Sequence, residues 1–149
     1  MTNLINKYND EYFMKVAINE SLKAFKINEI PVGAIAVYKN KIIAKSYNKT
    51  EKLKTVLGHA EILLINKVSK LINDWRLNNI SIYVTKKPCE MCFGAINNAR
   101  IYRLIYGMED NSLNYNSNKA KILIEGGILE TKCFDIFKRF FSKIRNNNL

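Results

Sequence analysis

The chain carries one histidine, His59, which stands two residues before Glu61 and thirty before Cys89, in the run Pro88-Cys89-Glu90-Met91-Cys92. One neutral imidazole and two thiolates balance the charge of Zn²⁺, and mixed nitrogen and soft sulfur donors suit that ion. Cys89 and Cys92, three residues apart, face one side of a helical turn. In a first turn, Cys89 would be favoured as thiolate by the helix dipole. A fourth protein ligand would have to be Cys133, but that residue lies beside Phe134 and Ile136 in an amphipathic segment and is expected to be a small core residue. One Zn²⁺ per chain on His59, Cys89 and Cys92 then keeps an open position for water, whose pKa zinc lowers toward ~7. Glu61 lies roughly 200° around a helix from His59, so the two do not share a face. Both can still converge on a site off the helix's N-terminal end, where Glu61, unligated, moves protons. Its other reading is an acid that merely favours the helix dipole.

The elements that must position these groups follow from periodicity. Asp10 to Phe25 is expected as a helix with Asp10 as N-cap and Phe13, Val16, Ala17 and Phe25 on its buried stripe. Pro31 and Gly33 precede an apolar run, Ala34 to Tyr38, and Lys39-Asn40 turns into a second, Lys41 to Ser46, which together read as a hairpin. Asn48 to Leu57 is polar and expected as a loop. A helix from Gly58 to about Lys70 is apolar nearly all round and is predicted to be buried. Ile80 to Thr85 reads as a strand. Pro88 suits a first helical turn, so Cys89 to Ala99 reads as a helix. Ile101 to Tyr106 is a strand, Asn111 to Lys119 a loop and Lys121 to Ile124 a fifth strand. A final helix, Thr131 to Ile144, is predicted to bury Phe134, Phe137, Phe141 and Ile144. Residues 1–9 and 146–149 are expected to be frayed. Strands alternating with helices imply parallel pairing in the second half. The expected fold is α/β, a mixed five-stranded sheet with helices on both faces.

At 149 residues, residues 1–149 are expected to form a single domain, because domains cluster near ~100–150 residues. A hydrophobic content of 48% excludes a wholly disordered chain. No stretch approaches the ~20 apolar residues of a membrane span, and the polar start lacks a secretory pattern. Three cysteines cannot all pair, which points to a reducing, intracellular setting rather than a disulfide scaffold. The net charge of +11 points to an acidic partner, nucleic acid first. Abundant Lys, Asn and Ile leave an AT-rich genome as a second source of that charge.

His59-Ala60-Glu61 with Pro88-Cys89-Glu90-Met91-Cys92 resembles the cytidine deaminase superfamily, and within it the bacterial tRNA-specific adenosine deaminases of the TadA type. Pro31-Val32-Gly33-Ala34, Tyr47-Asn48, Gly94-Ala95-Ile96, Ala99-Arg100-Ile101 and Tyr106-Gly107 follow the family pattern. So do Asp110, Gly127-Ile128-Leu129, and Phe140-Phe141 with Arg145, over roughly Tyr12 to Arg145. The chain departs from that pattern at Lys86-Lys87, where the family has an acidic residue before the proline, and at Leu57-Gly58, where it has Thr-Ala. It also departs at Asn111 to Asn116, where the family has a Gly-rich loop, and runs about ten residues short before the last strand. The resemblance implies a three-layer α/β/α fold and zinc-dependent conversion of adenosine to inosine at the wobble position of a tRNA anticodon stem-loop. It further implies a cytoplasmic homodimer with Glu61 as the catalytic proton carrier. Substrate contacts are expected from Asn48, Val32 and Ala60 at the base, Asp110 near the RNA backbone, and Phe140 and Arg145 on the last helix. A small-molecule base or nucleoside deaminase is the alternative. A non-catalytic zinc-stabilised RNA-binding derivative is a further one.

Overall fold

The computed structural model describes residues 2–116 and 120–148, with side chains from Asn9 onward. The described residues form five α-helices and five strands. They are α1 (Thr2–Lys26), β1 (Gly33–Tyr38), β2 (Lys41–Tyr47), α2 (Thr50–Leu53), α3 (Ala60–Ile72), β3 (Ser81–Lys86), α4 (Glu90–Asn98), β4 (Arg103–Met108), β5 (Leu123–Glu125) and α5 (Glu130–Asn147). The sheet order is β2-β1-β3-β4-β5. β1 pairs antiparallel with β2 and β3, while β3–β4 and β4–β5 are parallel. The mixed sheet and its parallel second half are as the sequence predicts.

Alternation along each strand divides the core between two faces. Ala34, Ala36, Ile82, Val84, Leu104 and Tyr106 join Leu64 and Val68 of α3 and Phe93 and Ile96 of α4. Ile35, Val37, Tyr83, Ile105 and Met108 join Phe13, Met14 and Ala17 of α1 and Cys133 of α5. Helices therefore cover both faces, and the architecture is three-layer α/β/α. The hairpin turns at Lys39-Asn40, both with positive φ, as a two-residue turn matched to strand twist requires. Gly33 is needed where α1 crosses β1, because a Cβ there would collide with the backbone of Ala17 and Ser21.

Several expectations are corrected. α1 begins at Thr2, ahead of the expected Asp10, and α5 continues through Asn147, beyond the expected Ile144. Asp10 is therefore not an N-cap but an interior helical residue, 2% exposed. The stretch read as loop after Asn48 contains α2 and a 3-10 turn, Val56–Gly58. α3 is buried on one side only, through Ala60, Glu61, Leu64 and Val68, and leaves Leu71 and Ile72 exposed. α5 buries Cys133 and Phe140, while Phe134, Phe141 and Ile144, predicted for the core, are exposed. The predicted loop Asn111 to Lys119 extends into 117–119, outside the described residues. No helix among the described residues is long and apolar enough to cross a membrane.

Candidate active site

The carboxyl ends of β3 and β4 meet the starts of α3 and α4, the usual place for a site in an open α/β sheet. His59 is the N-cap of α3 and Cys89 the N-cap of α4, both with extended backbone. Each ligand thus stands just ahead of a helix rather than in its first turn, and Cys92 follows inside α4. Proline at 88 and the bond from Phe93 N–H to Cys89 C=O (2.8 Å) fix the second of these starts.

His59 Nδ1 lies 3.6 Å from Cys89 Sγ and 3.4 Å from Cys92 Sγ. A tetrahedral Zn²⁺ with Zn–S near 2.3 Å and Zn–N near 2.0–2.1 Å gives N···S edges of about 3.5 Å, so the donor set and its spacing fit that ion. Cys133 has no part in this cluster. It is buried against Gly107, where an added Cβ would strike its sulfur, and burial pushes its thiol up to about 12. It is the small core residue expected.

Cys89 is pulled down to about 3, first by the hydrogen bond from Cys92 and then by that from His59. Cys92 is pushed up, because its proton is shared with the Cys89 sulfur and it is buried. The Cys92 backbone N–H, in the first turn of α4, works in the same direction. The same bond to Cys89 raises the His59 pKa. Glu61, in the first turn of α3, is buried and has its pKa raised, chiefly by desolvation. Its own backbone amide, then the nearby His59, then Cys92, work against that rise. A carboxyl that holds a proton more readily than usual, beside three metal donors, is equipped to pass protons to and from a reacting group.

These groups open on a cavity of about 620 Å³, lined by His59, Glu61 and Cys89. The fold brings Val32, Asn48, Ala60, Asp110 and Phe140 to the same cavity and leaves Arg145 outside its lining. Val32 and Asn48 are neighbours at the hairpin's open end, where Asn48 N–H bonds Val32 C=O (3.0 Å). The Asn48 side chain is engaged already: its amide donates to Ile30 C=O (3.2 Å) and its oxygen accepts from Thr50 N–H and Thr50 Oγ1 (3.2 and 2.6 Å). Asp110 accepts from Lys86 (2.7 Å), and that bond first, with one from Ser112, pulls its carboxyl down to about 2. Phe140 is 2% exposed and packs edge-on against Phe25 and Phe141, so its ring is not free to make the substrate contact expected of it. Arg145 is exposed and reaches Ser142 Oγ (3.3 Å).

Three contributors escape a reading of the sequence. Glu29 is buried at the cavity and accepts from the backbone N–H of Glu51 and Lys52 (3.1 and 2.6 Å), capping α2 from 22 and 23 residues away. No local pattern signals so distant a cap. Phe137 and Phe141 also line the cavity, from α5. Their helical spacing is visible in the sequence, but not which side of the helix faces inward.

An open set of three metal donors with a buried acid beside it, at the starts of two helices on a three-layer sheet, defines a metal-dependent hydrolase centre. A profile of MafB19-like deaminases matches residues 8–145. The tRNA-specific adenosine deaminase of Rickettsia bellii is 40% identical over 145 residues, covering 89% of this chain and all of that protein. Its counterpart in Bacillus subtilis is 34% identical over 146 residues, covering 91% of each. A structure from a study of A-to-I editing by tRNA:A34 deaminases at the wobble position superposes with a TM-score of 0.79 at 32% identity, over 84% of this chain and 98% of that one. The chain belongs to the MafB19-like deaminase family, with the bacterial tRNA-specific adenosine deaminases as its relatives.

Proposed function

We propose that the protein deaminates adenosine to inosine in tRNA, at the wobble position of the anticodon stem-loop. One observation carries the reading: the His59, Cys89 and Cys92 donors stand together, and His59, Cys89 and the buried Glu61 line one cavity, in a chain that resembles a tRNA-specific adenosine deaminase over 89% of its length. The metal in this reading is one Zn²⁺, which supplies a water acidic enough to act as nucleophile near neutral pH.

Net hydrolysis forms a C6–O bond, breaks the C6–N bond and releases ammonia. Glu61 accepts a proton at its carboxylate from the incoming water and delivers it to purine N1, then passes the second proton to the leaving amine. Desolvation raises the Glu61 pKa, which makes its carboxylate a stronger proton acceptor than a solvated one. The base must leave its stack to enter the cavity, where Val32 and Ala60 form apolar walls. With its side-chain amide and oxygen spoken for, Asn48 holds the base by exchanging its bond to Ile30 or Thr50 for one to the base edge. Asp110 stands near the RNA backbone, and Arg145 meets phosphate outside the cavity.

The protein acts as a cytoplasmic homodimer in this reading. Exposed Leu53, Val56, Leu57 and Met91, close in sequence to the ligands His59 and Cys89, supply apolar surface for a second copy. Incubation with tRNA, free bases and nucleosides, followed by measurement of ammonia and inosine, tests the function. Inosine should form in tRNA alone; ammonia from a free base or nucleoside, with tRNA unchanged, would establish a small-molecule deaminase instead. Mass measurement in solution tests the dimer.

A further inference from the structure

Lys86 closes β3 and Lys87 follows it, directly ahead of the Pro88-Cys89 turn. Lys86 Nζ pairs with Asp110 (2.7 Å) and Lys87 Nζ with Glu109 (2.8 Å), both pairs partly buried. Between the same two segments, Lys87 N–H bonds Met108 C=O (2.8 Å) and Tyr115 OH donates to Pro88 C=O (2.9 Å). Tyr115 stacks on Phe93 of α4 at 4.4 Å, and Lys87 Nζ stands 5.6 Å from its ring centroid. Residues 109–116 are therefore fastened at both ends to the turn that carries a metal donor. Lys86, Lys87 and Asp110 all line the substrate cavity.

We infer that Lys86 and Lys87 are positioning residues: through Asp110 and Glu109 they latch residues 109–116 as a fixed wall of the substrate cavity. The inference rests on the deaminase reading for the substrate and on geometry for the latch. Two adjacent lysines paired crosswise with two adjacent acids make a double cross-link, and neither pair alone would fix both the height and the twist of the segment. A cation already bound to a neighbouring carboxylate shapes the wall instead of gripping RNA phosphate itself.

The metal-loaded full chain tests this in four forms: unaltered, Lys87→Glu, Glu109→Lys, and the two changes together. Each single change should speed amide hydrogen exchange in 109–116 about three- to fivefold, as loss of a partly exposed pair allows, with exchange in α1 and β1 unchanged. KM for tRNA should rise by a similar factor with kcat held, and the exchanged pair should restore both. Glu109→Gln, which frees the Lys87 cation, should also raise KM. Failure of the exchanged pair to restore exchange protection overturns the latch. A lower KM in Glu109→Gln overturns it in favour of direct phosphate contact by Lys87. If the unaltered protein forms no inosine, the deaminase reading fails while the exchange measurements still decide the latch.

Discussion

Arg103 and Asp10, 93 residues apart, meet in two parallel hydrogen bonds of 2.8 and 2.7 Å between α1 and the start of β4. Tyr83 OH donates to the same carboxylate (2.6 Å), and Arg103 also reaches Glu125 of β5 (2.8 Å). The Asp10 carboxylate in turn raises the pKa of both Arg103 and Tyr83; for Arg103 its hydrogen bond is the largest cause, for Tyr83 burial is. Removing one member of such a pair strands the other in the interior. Arg103→Met should cost about 3–5 kcal/mol. The fall in Tm should be on the order of 10 °C for a chain of this size. Asp10→Leu combined with Arg103→Met should cost less than Arg103→Met alone, and thermal melts of the cycle check this.

Glu61→Gln keeps the volume and hydrogen-bonding capacity of the side chain but cannot carry a proton. Turnover should fall by at least ~10²–10⁴-fold with metal content and fold unchanged. Near-normal inosine formation in this variant would remove Glu61 from the chemistry.

Zinc titration should saturate at one ion per chain, and Cys133→Ser should leave that stoichiometry unaltered. Binding displaces the proton held high on Cys92, so uptake should acidify a weakly buffered solution. Affinity should fall as pH falls, because two thiolates and a neutral His59 are the binding forms. Cys92→Ser should abolish tight binding, and loss of zinc in Cys133→Ser would indicate a closed structural site.

The metal donors are legible in the sequence because soft ligands at short spacing have few other uses in a chain with one histidine. The orientation of α5 is not. Residues 134, 137, 141 and 144 lie on one helical stripe and 133, 136, 137 and 140 on another beside it, and both satisfy the same periodicity. Packing on Gly107 and Phe25 selects the second, which turns Phe140 inward and Phe134 outward. Asp10 misleads for a related reason: an acid near a chain start resembles an N-cap, and its real partner lies 93 residues away. The sheet and its parallel half are legible from alternation, whereas strand ends shift by up to two residues because backbone pairing, not side-chain pattern, sets them.

The charge on α5 predicts salt dependence. Lys138, Arg139 and Arg145 are exposed, and Lys143 reaches Asn28 Oδ1 (3.1 Å) at the cavity's edge. Replacing Arg139, Lys143 and Arg145 by Gln should weaken tRNA binding and flatten its log–log salt slope by ~0.7 for each phosphate no longer neutralised. An unchanged slope would assign the +11 charge to genome composition.

Asp110 predicts a local acid response. Its carboxyl is held near 2 where an unfolded aspartate titrates near 3.9, so its pair with Lys86 stabilises the fold above about pH 4 and is lost as pH falls toward 2. Carboxyl titration by NMR should return its midpoint toward ~3.9 in Lys86→Gln.

His59 and Cys89 each stand one residue ahead of a helix, so the metal triad depends on where α3 and α4 begin and is indifferent to where they end. α3 extends for 13 residues, about 20 Å, before its left-handed cap at Asn73. The exposed turn at Asn78-Asn79, beyond that cap, is where the backbone could be opened without touching either helix start. A chain nicked there would keep each ligand on the same stretch of backbone as the helix it precedes.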